Sequence, residues 1–151
     1  MIALLQRVTN ACVEVDGLEV ARIGAGLAVL IGVLPADREA DADILLTRVL
    51  NYRIFDDDSG RMNRSVSDVQ GWLLLVPQFT LAADTRKGLR PGFSLAAPPA
   101  LGKRLFEHLA AFAARSHAKV QCGVFGAHMQ LSLTNDGPAT FWLEHPARTC
   151  G

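Results

Sequence analysis

The sequence predicts a mixed α/β chain of the α+β kind: a mostly antiparallel sheet or barrel-like β core with two helices packed on one side. Three observations predict it. Strand-like runs open and close the chain, two segments of helical periodicity lie between them, and the steady strand–helix repeat of a doubly wound parallel fold is missing. At 151 residues, half of them hydrophobic and spread over the whole length, the chain can bury one core, so 1–151 read as a single domain.

Ile2 to Thr9 reads as a strand with Ile2, Leu4 and Val8 on one face and Ala3, Leu5, Arg7 and Thr9 on the other. Arg7 thus falls on a partly apolar face, where it either reaches solvent at a strand edge or holds a carbonyl or carboxylate. Val13-Glu14-Val15 alternates again, and Asp16-Gly17 is a hairpin signal leading to a returning strand through Ile23. Leu27 to Val33 is apolar on both faces, as a strand covered on both sides would be. Asp37 is placed to cap a helix running to about Tyr52, with Ala42, Leu45, Leu46 and Val49 on one stripe.

Asp56-Asp57-Asp58-Ser59-Gly60 reads as a turn and lacks the ligand spacing of an EF-hand loop. Gly71 to Val76 is a second strongly apolar strand, and it runs into Pro77-Gln78-Phe79-Thr80. From Ala82 to Pro99 a long connection carries Arg86, Lys87 and Arg90 close together; it is a solvated basic loop or a place to meet a phosphate. Pro98 and Pro99 open a helix to about His117, with Leu101, Leu105, Leu109 and Phe112 on its buried side. Val120 to Phe125, Met129 to Thr134 and Thr140 to Leu143 finish the chain as strands, with Asn135 to Ala139 read as a turn between the last two.

Composition narrows the function classes. The formal charge is zero, which excludes the basic footprint of a protein lying along duplex nucleic acid and leaves local contact to an end or a few nucleotides. Cys12, Cys122 and Cys150 are odd in number and widely spaced, and four scattered histidines do not complete a ligand set, so neither a disulfide framework nor a metal site is expected. The longest apolar run, Gly26 to Leu34, is too short to cross a bilayer, and no basic region precedes the opening apolar residues; a soluble cytoplasmic protein without membrane contact is expected.

Two stretches interrupt their strands with residues a plain strand avoids. Pro77-Gln78-Phe79-Thr80-Leu81 is one; Asn135-Asp136-Gly137-Pro138-Ala139-Thr140 is the other. Gly137 has no Cβ and Pro138 no N–H, so together they present backbone carbonyls with no side chain in the way. Thr80 could be a nucleophile, but a hydroxyl needs a base that its sequence neighbours do not supply; capping backbone or binding substrate is the other reading.

These two stretches resemble the signature motifs of the bacterial D-aminoacyl-tRNA deacylases, whose usual forms are Ser-Gln-Phe-Thr and Asn-x-Gly-Pro-x-Thr. The resemblance extends, in order, through Met1 to Val8, Ile23 to Leu27, Val49 to Phe55, Met62-Asn63, Leu81 to Thr85 and Arg90 to Ser94, as far as about Leu143. It implies a cofactor-free homodimeric enzyme that hydrolyses the ester between a D-amino acid, or glycine, and the terminal adenosine of tRNA. It also implies a cis Gly137-Pro138 bond whose loop enters the partner's active site and excludes L side chains. Gln78, Phe79 and Thr80 are the implied catalytic segment, with backbone amides around Phe79 and Thr80 for the oxyanion and the substrate's ribose 2′-hydroxyl assisting. Asn135, Gly137 and Pro138 are implied in chiral selection, Phe125 and Met129 in contacting adenine, and Arg7 in steadying the loop.

One position departs from the pattern: Pro77 stands where the family usually has Ser. It leaves open an alternative of a catalytically impaired RNA 3′-end or aminoacyl-adenosine binding protein. The tail 144–151 has no clear counterpart in the family.

Overall fold

The computed structural model describes residues 1–146. The expected tail therefore falls mainly outside the described residues, Cys150 included, while Glu144 still pairs with Ile2 and the His145 amide donates to the Met1 carbonyl at 3.0 Å.

Among the described residues, eight strands and two α-helices follow one another: β1 (Ile2–Val15), β2 (Leu18–Ile23), β3 (Gly26–Gly32), α1 (Glu39–Asn51), β4 (Phe55–Asp56), β5 (Met62–Arg64), β6 (Trp72–Pro77), α2 (Pro99–Ser116), β7 (Val120–Cys122) and β8 (Met129–Glu144). A 3-10 turn, Phe79–Ala82, follows β6. The main sheet has six strands in the order β2-β1-β3-β6-β7, with β8 on β1 as well. Strand β1 pairs antiparallel with β2, β3 and β8, whereas β3–β6 and β6–β7 are parallel.

The length of β1 explains the curvature. Its first half pairs with β3 and its second half with β2, and β8 runs beside both halves. One strand thus serves two sheet directions, and the sheet curls until β2 approaches β6 and β7, giving a nearly barrel-shaped core. Two apolar layers result. Ala3, Leu5, Leu27, Val29, Leu73 and Leu75 point to the helices and meet Leu45, Leu46, Val49, Leu105 and Leu109. Val8, Ala11, Val13, Ala28, Leu74 and Val76 point into the curl. Both β3 and β6 are covered on both sides, which is why their sequences are continuous apolar runs.

Four expectations are corrected. Asp37 does not cap α1: its carboxylate accepts from the Leu34 amide and the Met1 amino group, both at 2.7 Å, so the helix begins at Glu39 behind Arg38, whose amide donates to Asp41 at 2.8 Å. On α2, Leu101 and Phe112 are only partly covered, while Phe106 and Ala113 are buried, because the helix turns its face toward the sheet one position away from the stripe read in sequence. Strand β7 ends at Cys122, not Phe125, because Gly126 turns with φ +77°. Most consequential, Asn135 to Ala139 is not a turn: β8 is one strand whose ladder to β1 holds at Val8↔Asn135 and resumes at Gln6↔Thr140, leaving 136–139 as a bulge.

Candidate active site

Residues 77–79 and 125–129, far apart in sequence, meet at one pocket of about 470 Å³, a volume suited to a nucleoside-sized ligand. Pro77, Gln78 and Phe79 arrive from the end of β6; Phe125 to Met129 arrive from the turn into β8; Gly102 and Phe106 arrive from α2. The lining side chains are apolar except Gln78 and His128. Phe125 reaches its place because Gly102 makes room: a Cβ there would stand 3.3 Å from the Phe125 ring, which also packs on Phe106 with centroids 6.4 Å apart.

Pro77 is tolerated for a local reason. The Gln78 amide donates to the Ile31 carbonyl at 2.7 Å on the β3 side, and the Gly123 amide donates to Leu75 on the β7 side. Alternation along the strand aims the Pro77 nitrogen toward β7, past that strand's last rung at Leu75↔Cys122. No ladder bond is lost there. The chain then winds into the 3-10 turn, where the Leu81 amide returns to Gln78 and the Ala83 amide to Thr80. The Phe79 and Thr80 amides head this turn with no backbone acceptor among the described residues. Gln78 Nε2 donates to Thr80 Oγ1, and Thr80 is exposed. No His, Lys or carboxylate partner of the Thr80 hydroxyl occurs among the described residues, and burial pushes the nearby Cys122 thiol up, away from the reactive thiolate.

A second cluster surrounds the β8 bulge. The Gly137-Pro138 peptide is cis. Arg7, 9% exposed, spans from the bulge to the segment after α1: Nε donates to the Asp136 carbonyl at 3.0 Å and Nη1 to the Ile54 carbonyl at 2.8 Å. The Asp136 carboxylate lies 3.2 Å from Nε and that of Asp56 3.6 Å from Nη1. Asn135 Nδ2 donates to the Arg7 carbonyl at 2.9 Å and to the Ala139 carbonyl at 3.2 Å, closing the bulge from within. A Cβ on Gly137 would fall inside van der Waals contact of Asn135 Oδ1. So Gly137 is required by Asn135, and Arg7 takes the carbonyl-holding alternative rather than the solvent-reaching one.

The nine residues singled out in the sequence therefore divide. Gln78, Phe79, Phe125 and Met129 line the pocket and Thr80 adjoins it; Arg7, Asn135, Gly137 and Pro138 form the bulge cluster, with Gly137 and Pro138 exposed. Arg7 is level with Leu27 and Leu73, and Pro77 with Ile31 and Ala3, so the bulge on β8, beyond β1, stands three strand spacings and four residues from Pro77. At about 4.8 Å per strand and about 3.3 Å per residue the clusters lie roughly 20 Å apart in one chain, less whatever the curl removes. Sequence reasoning missed Gly102, Phe106, Ala97 and His128 as pocket residues. Helical periodicity shows only that Phe106 is apolar, and nothing local signals that Gly102 opposes Phe125.

Comparison with known proteins places this arrangement. The family model described as D-Tyr-tRNA(Tyr) deacylase matches residues 4–144. A D-aminoacyl-tRNA deacylase of Thioalkalivibrio sulfidiphilus is 61% identical over 97% of this chain and 98% of the relative. One of Nitrosococcus oceani is 60% identical over 97% of this chain and 94% of the relative. Among solved structures, the c-Myc DNA Unwinding Element Binding Protein superposes with TM-score 0.93 at 37% identity, covering 97% of this chain and 100% of that one. A probable eukaryotic D-amino acid tRNA deacylase shares the fold with TM-score 0.83 at 19% identity, over 94% and 97% of the two chains. With a family match over nearly its whole described length and relatives this similar, the chain belongs to the D-aminoacyl-tRNA deacylase family.

Proposed function

We propose that this protein hydrolyses the ester bond of D-aminoacyl-tRNA, and of glycine mischarged on tRNA, releasing the free amino acid and the tRNA 3′-end. The pocket carries the reading: an apolar recess of nucleoside size with Gln78 and the unpaired Phe79 and Thr80 amides at its edge. The terminal adenine occupies the apolar part against Phe125 and Met129. Water adds to the ester carbonyl, the oxyanion is held by the two backbone amides, and the ribose oxygen leaves with a proton. Gln78 fixes the Thr80 hydroxyl, which positions the substrate. The Thr80 hydroxyl has no side-chain base as a hydrogen-bond partner among the described residues, and the substrate's 2′-hydroxyl assists the attack.

The bulge acts on a second copy of the chain. Its exposed Gly137-Pro138 pair stands away from its own pocket by roughly three strand spacings of about 4.8 Å each. A same-facing row across the strands, Trp142, Leu4, Leu30 and Val76, supports a homodimer. Trp142 is 50% exposed, Leu4 and Leu30 are half-buried, and Val76 lines the pocket. A two-fold partner on this face brings one protomer's bulge over the other's pocket. Carbonyls without a side chain then face the substrate Cα and leave room for hydrogen but not for an L side chain. Charged tRNA places this work in the cytoplasm, with no metal or cofactor called for.

The test is deacylation of D-tyrosyl- and L-tyrosyl-tRNA by the purified protein without added cofactor. Release from the D form alone is expected; equal cleavage of both hands overturns the exclusion. The second reading, a binding protein that has lost hydrolysis, rests on Pro77. It predicts tight binding of D-tyrosyl-tRNA with no release, and Pro77→Ser then restoring turnover.

A further inference from the structure

Immediately beyond the 3-10 turn, the chain forms a loop closed at its base by paired bonds between Asp84 and Gly92, of 2.7 and 3.0 Å. Phe93 then packs on Phe79 with ring centroids 5.3 Å apart, so the loop is fixed to a residue that lines the pocket. Its three cations are not equivalent. Arg86 is engaged by Asp84, with Nε and Nη2 donating at 2.8 and 2.7 Å. Lys87 and Arg90 are exposed and have no carboxylate within ion-pair distance among the described residues. Gly88 turns the loop between them with φ +71°. Arg90 is three residues from Phe93, at most about 10 Å of chain.

We infer that Lys87 and Arg90 form a phosphate-binding site for the single-stranded 3′-end of the RNA, taking the phosphates on the 5′ side of the nucleotide in the pocket. The inference rests on the pocket holding the terminal adenosine. A chain of zero net charge has no general attraction for a polyanion, so affinity for nucleic acid has to come from such local cations. Arg86, by neutralising Asp84, keeps a carboxylate from repelling the same phosphates while bracing the loop. Lys87 and Arg90 remain free to pair.

Lys87→Ala/Arg90→Ala is compared with the parent on D-tyrosyl-tRNA and on D-tyrosyl-adenosine, which has no phosphate. On tRNA the double variant raises KM with kcat unchanged. Two phosphate contacts at a slope of about 0.7 each make the parent lose about sevenfold more kcat/KM than the variant between 50 and 200 mM salt. On the adenosine ester both proteins behave alike, and Lys119→Ala, at the far end of β6, changes neither substrate. Equal losses on both esters, or an unchanged salt slope on tRNA, overturn the inference. If the parent hydrolyses neither ester, the reading of the pocket fails, and the salt dependence of uncharged tRNA binding by parent and variant decides the phosphate site separately.

Discussion

Gly137 and Asn135 show how one side chain can dictate its neighbour. Asn135 spends both amide hydrogens inside the bulge, on the Arg7 and Ala139 carbonyls, and this fixes its Oδ1 against the Cα of Gly137. Gly137→Ala has to displace that carboxamide. The expected result is a loss of D-tyrosyl-tRNA deacylation of at least about a hundredfold, the size a misplaced catalytic wall of about 1 Å produces. Adding Asn135→Ala relieves the contact but frees the bulge, so the double variant recovers thermal stability without recovering activity; recovery of both would show that the bulge geometry does not matter. Thr80→Ala removes a positioning hydroxyl that accepts from Gln78, and most of kcat is expected to remain. Near-total loss with unchanged substrate binding would make Thr80 a nucleophile.

At the scale of elements, Arg7 joins three of them: β1, the β8 bulge and the segment after α1. Arg7→Ala leaves the Ile54 and Asp136 carbonyls without their donor and removes about 1–3 kcal/mol of stability. A fall in Tm together with lost deacylation is expected, and Arg7→Lys, which cannot span both carbonyls in the same way, recovers little. Loss of activity with no change in Tm would separate the bulge from the fold. The loop after the 3-10 turn has its own signature. The Arg86 side chain, bonded to Asp84, holds that carboxyl down at about 2, with the Arg86 amide adding to the effect. Because the folded value is depressed, the contact is complete above the ordinary Asp value of about 3.9 and is lost as pH falls through the folded value. A carboxyl carbon titration of Asp84 by NMR should have its midpoint near about 2. Arg86→Ala should move it up toward the ordinary value; no movement would mean that the pair does not brace the loop.

For the whole molecule the proposal turns on a second copy, since Arg7, Asn135, Gly137 and Pro138 are not among the residues that line the pocket. Trp142→Glu places a charge in the row Trp142, Leu4 and Leu30, on the face proposed for the partner. The expected outcome is a monomer by sedimentation that keeps its circular dichroism spectrum but loses deacylation. A monomeric variant with full activity and full D selectivity would mean that no second copy is needed. The described residues include no helix long and apolar enough to cross a membrane.

Local pattern was enough for much of this protein. The periodicity of Ala42, Leu45, Leu46 and Val49 identifies the buried stripe of α1, and continuous apolar runs identify β3 and β6, because these signals record how each element meets the core. The motif residues 78–80 and 135–140 marked the interrupted strands and, through resemblance, the family. Capping of α1 was misread since Asp37 has a stronger distant partner in the Met1 amino group, and a cap is visible in sequence only when nothing distant competes. That Asn135 to Ala139 bulges within one strand depends on which strand lies alongside, and that neighbour is β1, whose pairing with β8 spans both its halves. Sequence by itself determined the two helices, the continuous apolar strands, the family and the unusual residues, since these follow from side-chain chemistry and spacing. Only the tertiary structure decided that Phe125 lies on Gly102, that Arg7 holds the bulge, and that bulge and pocket stand apart in one chain, because such distances belong to the curl of the sheet and to no local run of residues.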